Sequence, residues 1–255
     1  MSDAEWAFFE PFVVAKGERS GRPPRDHRLR LDGVFWIART GAQWRDLPEV
    51  FGKWSTVYRQ FRRWTLSGVW EAMLEALAES GAEPDSVQMI DSTIVRAHVS
   101  AAGFKRGTQR QGLGRSKGGF TSKIHLRTNA VGLPLAAEVT AGQVSDYRGY
   151  DLLMDAEAPD PKVLLADKGY DADRIRDDLE ARSAAPMIPG RKGRKHPVPI
   201  DDFIYALRNQ IERGIGKLKW SRRLATRYDK TADSYLGFVH IGSLRLWHRH
   251  FVNRA

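Results

Sequence analysis

Three acids and one helical stripe carry the chemistry that this sequence can offer. Asp91 closes a short apolar run, Ser86 to Ile90, and Asp167 closes another, Val163 to Ala166. Both runs read as strands with an acid at the C-terminal end. Glu212 belongs to a different kind of element. From Asp201 to Lys219, Ile204, Leu207, Ile211, Ile215 and Leu218 recur every three or four positions, which predicts a helix with an apolar face. Asp201 and Asp202 suit its N-cap and first turn. Tyr205, Arg208, Glu212 and Lys219 fall within about 60° of one another beside that face, at roughly 100° per residue. In an open α/β sheet, ligands gather at the carboxyl ends of the strands. Three carboxylates converging there repel one another unless cations lie between them. With oxygen donors and no cysteine in the chain, the cations that fit are hard ones, Mg2+ with Mn2+ as a substitute. Two such ions about 3.5–4 Å apart can activate a water or a 3′-hydroxyl and stabilise the leaving oxygen of a phosphodiester. A plainer reading stays open at each position. Arg208 and Glu212 suit an i,i+4 pair on a helix flank, and Asp91 and Asp167 suit strand-end turns.

The elements that must position these residues follow from the pattern around them. After Gly81–Asp85, a natural boundary, the order is strand, basic glycine-rich segment, hairpin, helix, strand, helix, strand, helix. TSKIHLRT, residues 121–128, alternates cleanly, Asn129 to Gly132 turns the chain, and Leu133 to Thr140 returns. Helices are expected over Tyr150 to Ala156 and Leu236 to Phe251, and a last strand over Ala185 to Ile188. The pattern predicts a mixed α/β sheet with flanking helices over residues 86–255, preceded by a small all-α domain over residues 1–82. Residues 100–119 have no apolar face and read as a mobile basic loop that includes Lys105 and Arg106. A second basic loop, Gly190 to Pro199, includes Arg191 and Lys192. His98 and His125 lie near the site in this arrangement, within reach of phosphate or water, but have no partners at zinc-ligand spacing. Asp146, in QVSD, either supports a metal-holding carboxylate or caps a turn.

The small N-terminal domain has its own signal. A turn at Phe51-Gly52-Lys53 precedes a helix, Thr56 to Leu66, expected to be capped by Ser55. Val57, Phe61 and Trp64 point inward, and Tyr58, Arg59, Gln60, Arg62 and Arg63 outward. Helix, glycine-containing turn and polar-basic helix make a helix-turn-helix pattern, with Arg59, Arg62 and Arg63 as candidate DNA contacts. The alternative is a helical hairpin with solvated arginines. The net charge of +10 is concentrated in residues 161–255, which hold 20 basic against 11 acidic side chains. That excess favours a polyanionic partner, most simply double-stranded DNA. No apolar run is long enough for a membrane span, the N-terminus lacks the features of a signal peptide, and the absence of cysteine suits a reducing compartment. A cytoplasmic protein that associates with the bacterial nucleoid is expected.

Several separate segments, in the same order, resemble the bacterial insertion-sequence DDE transposases of the insertion-sequence-five family. Tyr205, Arg208, Glu212 and Lys219 reproduce that family's Y-(2)-R-(3)-E-(6)-K signature. Asp91 lies in IDSTIVRAH and Asp167 in ADKGYD, where the family usually has DRGYD. Lys168 thus replaces an arginine. The resemblance implies an RNase H-like fold in which Asp91, Asp167 and Glu212 hold the metal ions. It implies binding of terminal inverted repeats, hydrolysis that frees 3′-hydroxyls, and attack of those hydroxyls on target DNA. Arg208 and Lys219 are then expected near the scissile phosphate, with Tyr205 beside them, in a homo-oligomer on DNA. A DNA-binding repressor or domesticated transposase with an idle core is the alternative.

Overall fold

A computed structural model describes residues 1–13, 26–81, 87–102, 111–196 and 198–252. Lys105, Arg106 and the connector at 14–25 lie outside these. Four helices come first: α1 (Asp3–Val13), α2 (His27–Thr40), α3 (Trp54–Leu66) and α4 (Val69–Gly81). The Asp26 carboxylate accepts from the Leu29 amide at 2.9 Å and caps α2. Gly41, at φ 69°, ends that helix in the left-handed conformation. The N-cap of α3 is Lys53, without a side-chain bond, and not Ser55. The helix begins at Trp54, two residues earlier than a Ser55 cap implies.

The strands are β1 (Val87–Ala97), β2 (Gly114–Ser116), β3 (Gly119–Thr128), β4 (Pro134–Ala141), β5 (Val163–Leu165), β6 (Ala185–Met187) and β7 (Thr226–Arg227). The helices are α5 (Asp146–Met154), α6 (Asp173–Ala181), α7 (Asp202–Ala206), α8 (Asn209–Lys219), α9 (Arg222–Ala225) and α10 (Ala232–Val252). β1, β3 and β4 form an antiparallel meander, and β5 and β6 add in parallel on the other side of β1. This mixed sheet between helical layers is an RNase H-like arrangement. β2 occupies part of the segment expected to be a loop, because Gly114–Ser116 folds back onto the start of β3.

The alternation of β1 sorts its side chains into two layers. Met89 and Val95 belong to the larger core, which includes α10, and Ile90 belongs to the smaller core with Tyr150 and Leu153 of α5 and Ile175 and Leu179 of α6. Asp91 and Thr93 therefore share the face of Met89, and Ser92 that of Ile90. The larger core runs without a break from Phe9 in α1 to Trp247 in α10. Phe238 of α10 stacks on Phe61 of α3 at 4.5 Å, and Trp247 Nε1 donates to the Pro134 carbonyl at 2.6 Å. The N-terminal helices are thereby packed onto the helix that backs the sheet.

Two expectations are corrected. β1 does not stop at Ile90: it continues to Ala97, so Asp91 is at mid-strand. Its polar second half remains a strand because β3 pairs with it throughout, from Met89↔Thr128 to Arg96↔Thr121. The stretch 201–219 is also not one helix. Asp201 caps α7 through the amides of Phe203 and Ile204, and the chain then tightens at Leu207 and Arg208 before α8 begins. Four i→i−3 bonds, from the amides of Leu207, Arg208, Gln210 and Ile211, mark this joint, including Arg208 N to Tyr205 O at 3.0 Å and Ile211 N to Arg208 O at 3.2 Å.

Candidate active site

The parallel register brings Asp91 and Asp167 together. β1 and β5 pair from Val87↔Val163 to Met89↔Leu165. Two residues farther along each strand stand Asp91 and Asp167, at equivalent heights and past the last paired residues. The ladder between the two strands ends there, while the Ala166 amide donates to the Met187 carbonyl at 3.3 Å on the β6 side and β1 stays on β3. The two acids stand on either side of the point where the ladder ends, and that point is the gap of the site.

Asp91 is held on both oxygens. Oδ1 accepts from the Ser92 amide at 2.7 Å, and Oδ2 accepts from Arg208 Nη1 at 3.0 Å. Burial raises its pKa, the Ser92 amide and Arg208 oppose that, and the nearby Asp167 and Glu212 charges add to it. Asp167 Oδ1 caps the short turn Lys168–Tyr170 through the Gly169 amide at 2.7 Å. This turn is braced from behind. Arg191 donates to the Lys168 and Gly169 carbonyls at 3.1 and 2.9 Å. Buried Asp171 accepts from the Arg191 amide, Arg176 and Arg194 at 2.8, 2.9 and 2.8 Å.

Glu212 arrives from α8. Its side chain is 54% exposed and bonded to Arg208 Nη2, so one guanidinium joins Asp91 to Glu212. Burial works to lower the pKa of Arg208, but Asp91, Tyr205, Glu212 and Asp167 together carry it upward. Tyr205 is partly buried beside it, with its own pKa raised by burial. At the far end of α8, Lys219 Nζ donates to Thr93 Oγ1 at 2.6 Å, and burial lowers its pKa. The expected stripe thus lies over β1, and two of its cations engage the neighbouring same-face residues Asp91 and Thr93.

Asp146 is a fourth carboxylate at the gap. Its Oδ1 accepts from Ser92 Oγ at 2.5 Å and Lys123 Nζ at 2.8 Å. Burial pushes its pKa up, but the bonds from Lys123 and Ser92 outweigh this and hold it below the usual carboxylate range. A Cβ on Gly169 would lie 2.7 Å from Asp167 Oδ1 and 3.3 Å from Asp146 Oδ2. The two acids therefore meet across this glycine. Tyr170, in the same turn, is fully buried with no partner for its hydroxyl among the described residues. The signal for Asp146 in the sequence was the cross-strand pairing of Ser92 with His125 and Ile94 with Lys123. That pairing puts Lys123 on the face of Ser92, but it is unreadable until β1 is known to extend past Asp91.

Among the described residues neither histidine bonds to these acids. His125 is buried, bonded to Thr140 Oγ1 at 2.8 Å, and burial beside Lys123 lowers its pKa to about 4. His98 Nδ1 lies 3.0 Å from Ser100 Oγ. Of the candidate DNA contacts, Arg59 and Arg63 are exposed on α3. Arg62 instead donates to Ser234 Oγ of α10 at 2.7 Å, and Gln60 is buried, both because α3 packs on α10. Lys192 is exposed, while the guanidinium of Arg191 is taken up by the backbone of the Asp167 turn.

The donor set is oxygen only and carries excess negative charge around Asp91, which fits a hard divalent cation. Among the described residues no group of three His, Cys, Asp or Glu stands ready to hold an ion. Arg208 supplies the positive charge between Asp91 and Glu212. No helix among the described residues is long and apolar enough to cross a membrane.

Residues 82–241 match the family described as "Transposase DDE domain", and residues 1–74 match "Putative transposase of IS4/5 family". The chain is 35% identical over 135 residues to the "Putative transposase for insertion sequence element IS6501" of Brucella ovis, covering 51% of this chain and 100% of that one. It is 33% identical over 131 residues to the "Putative transposase for insertion sequence element IS402" of Burkholderia cepacia, covering 48% and 60%. Among solved structures, the piggyBac transposase synaptic complex with hairpin DNA is similar in fold. Its TM-score is 0.53 at 13% identity, and the match covers 97% of this chain and 71% of that one.

Proposed function

This chain belongs to the insertion-sequence transposases built on a DDE domain, and we propose that it binds the terminal inverted repeats of its element, frees 3′-hydroxyls and joins them to target DNA. The observation that carries this reading is the shared height of Asp91 and Asp167 just past the paired part of two adjacent parallel strands, with Glu212 tied to Asp91 through Arg208.

Asp91, Asp167 and Glu212 would hold the metal, Mg2+ or Mn2+. Bound there, it would activate the attacking hydroxyl and neutralise charge on the leaving oxygen. The chain's own residues do the rest. Asp91 and Asp167 are fixed by the sheet, so they define where the scissile phosphate must lie. Arg208 is already suited to two oxyanions at once, as a planar fork is. A DNA phosphate entering the gap competes with Asp91 and Glu212 for that fork, freeing both carboxylates. Lys219 lies one strand step farther along and would take the next phosphate. Residues 1–82, with Arg59 and Arg63 exposed on α3, would grip duplex outside the gap, and Lys192 would extend the basic track. Synapsis of two ends calls for a homo-oligomer on DNA.

The second reading, a DNA-binding protein with an idle core, is favoured by one observation: Glu212 is half exposed and occupied by Arg208. A cleavage assay separates the two. With DNA that carries the inverted repeats flanking the gene, the wild-type chain nicks only when a divalent cation is present. Glu212→Gln binds the same DNA with unchanged affinity and leaves it intact. Binding without cleavage by the wild type would establish the idle core.

A further inference from the structure

Glu212, Gly216 and Trp220 follow one another at i, i+4 and i+8 along α8 and its C-cap, so each stands about 40° round from the last on one inclined ridge of the helix surface. The middle position is bare: a Cβ on Gly216 would meet nothing within 4 Å. The last is an indole that is 72% exposed. Beside it opens a groove of 320 Å3 between α8, the β3–β4 turn and the end of α10. Val131, Leu133 and Leu246 give it apolar walls, and Lys217 and Arg249 stand with Trp220 around it. Its floor is a backbone contact, where a Cβ on Gly214 would lie 2.6 Å from the Gly132 carbonyl oxygen. No acid lines the groove. Among the described residues neither Lys217 nor Arg249 has an ion-pair partner, nor has Arg213 on the same helix. A large exposed aromatic ring ringed by unpaired cations is suited to a flat apolar ligand attached to a polyanion.

We propose that Trp220 is a stacking platform for one unpaired base of the DNA strand under attack, with Lys217 and Arg249 contacting the phosphates that flank it. The inference rests on the transposase reading and adds a site to it. Eight residues of helix put Trp220 roughly 12 Å from Glu212. That is about three to four nucleotide steps at 3.4 Å per strand, so the strand runs from the carboxylates over bare Gly216 to the indole. The base that stacks must leave the duplex, which sets the junction between paired and unpaired DNA at the edge of the active site. An unpaired base costs least to supply where the end is already frayed or nicked, so the platform would favour cleaved over uncleaved ends.

The test uses the full chain and two probes: a 20-base-pair duplex with a four-thymidine 3′ overhang that carries one 2-aminopurine, and the same duplex with blunt ends. Binding of the overhang should quench the 2-aminopurine. Trp220→Ala should abolish that quenching and weaken overhang binding roughly 5- to 150-fold. It should leave blunt-duplex binding within about twofold. Trp220→Phe should retain most of both signals, and Lys217→Ala should flatten the salt dependence of overhang binding. Equal overhang affinity for wild type and Trp220→Ala, with blunt duplex still bound, overturns the platform alone. Loss of a dimer in Trp220→Ala without change in overhang affinity assigns the groove to a second copy of this chain and overturns it too. Failure of the wild type to bind either probe overturns the DNA reading and the platform with it.

Discussion

Asp91 and Asp167 are held by backbone that is fixed from several sides, whereas Glu212 hangs from a helix that meets the sheet through side chains. β1 is paired with β3 over eight successive residues at Asp91. The Asp167 turn is braced by Arg191 and by the Asp171 cluster. Among the described residues Glu212 bonds only to Arg208, and the helix that carries it begins at a joint of i→i−3 bonds. A site that must admit DNA and then close gains from this asymmetry. On the proposed function, the two sheet-held acids would set the geometry, and Glu212 would answer to what fills the gap. Arg208 would be the hinge of that exchange, since it bonds one acid of each kind.

The comparison can be broken most sharply at the fixed acids. Asp91→Asn and Asp167→Asn each keep the fold, because neither removes a ladder bond, yet DNA cleavage should fall on the order of 10³-fold or more. A nicking assay with fold checked by circular dichroism measures this. The brace comes next. Asp171 is buried among Arg176, Arg194 and the Arg191 amide, so Asp171→Asn leaves cations unpaired and should cost about 3 kcal/mol of stability in a urea titration. Burial acts to raise the Asp171 pKa, but its three partners outweigh this and hold it below the ordinary value. Its stabilisation is therefore present above the unfolded pKa of aspartate and is lost as pH falls through the lower folded value. The wild type and Asp171→Asn should converge in stability over that acid window.

Arg208→Lys sharpens the contrast at the hinge. An ammonium cannot serve two carboxylates as a fork does, so cleavage should drop by about 10- to 100-fold while DNA affinity changes little. The smallest effect is expected at Lys219. Its amine is partly desolvated with one hydroxyl partner, Thr93. Lys219→Met should reduce cleavage by about tenfold and leave thermal stability equal or higher, as scanning calorimetry would report.

The movable half was the more legible of the two in the sequence. The spacing of Tyr205, Arg208, Glu212 and Lys219 announces a common side of a helix, and they do share a side. Periodicity could not reveal the joint at Leu207 and Arg208, because no glycine or proline marks it and both residues keep α-region dihedrals. The fixed half was legible in its two acids and in the clean alternation of TSKIHLRT. Its depth was hidden. The expected strand stops at Asp91 because DSTIVRA mixes polar and apolar side chains, and only pairing with β3 carries it on to Ala97. The same hidden extension concealed the partners of Asp146, because Ser92 and Lys123 become neighbours only across β1 and β3. Arg62 and Arg191 looked like free cations because sequence gives charge but not packing. One is spent on α10 and the other on the Asp167 turn.

The measurement closest to the central claim is Mn2+ binding by electron paramagnetic resonance to the DNA-bound full chain. The wild type should take up Mn2+, Asp167→Asn should lose it, and Glu212→Gln should retain weakened uptake on the two strand-borne acids while failing to cleave. Uptake by Asp167→Asn and Glu212→Gln equal to the wild type would contradict the division into a fixed pair and a movable third ligand.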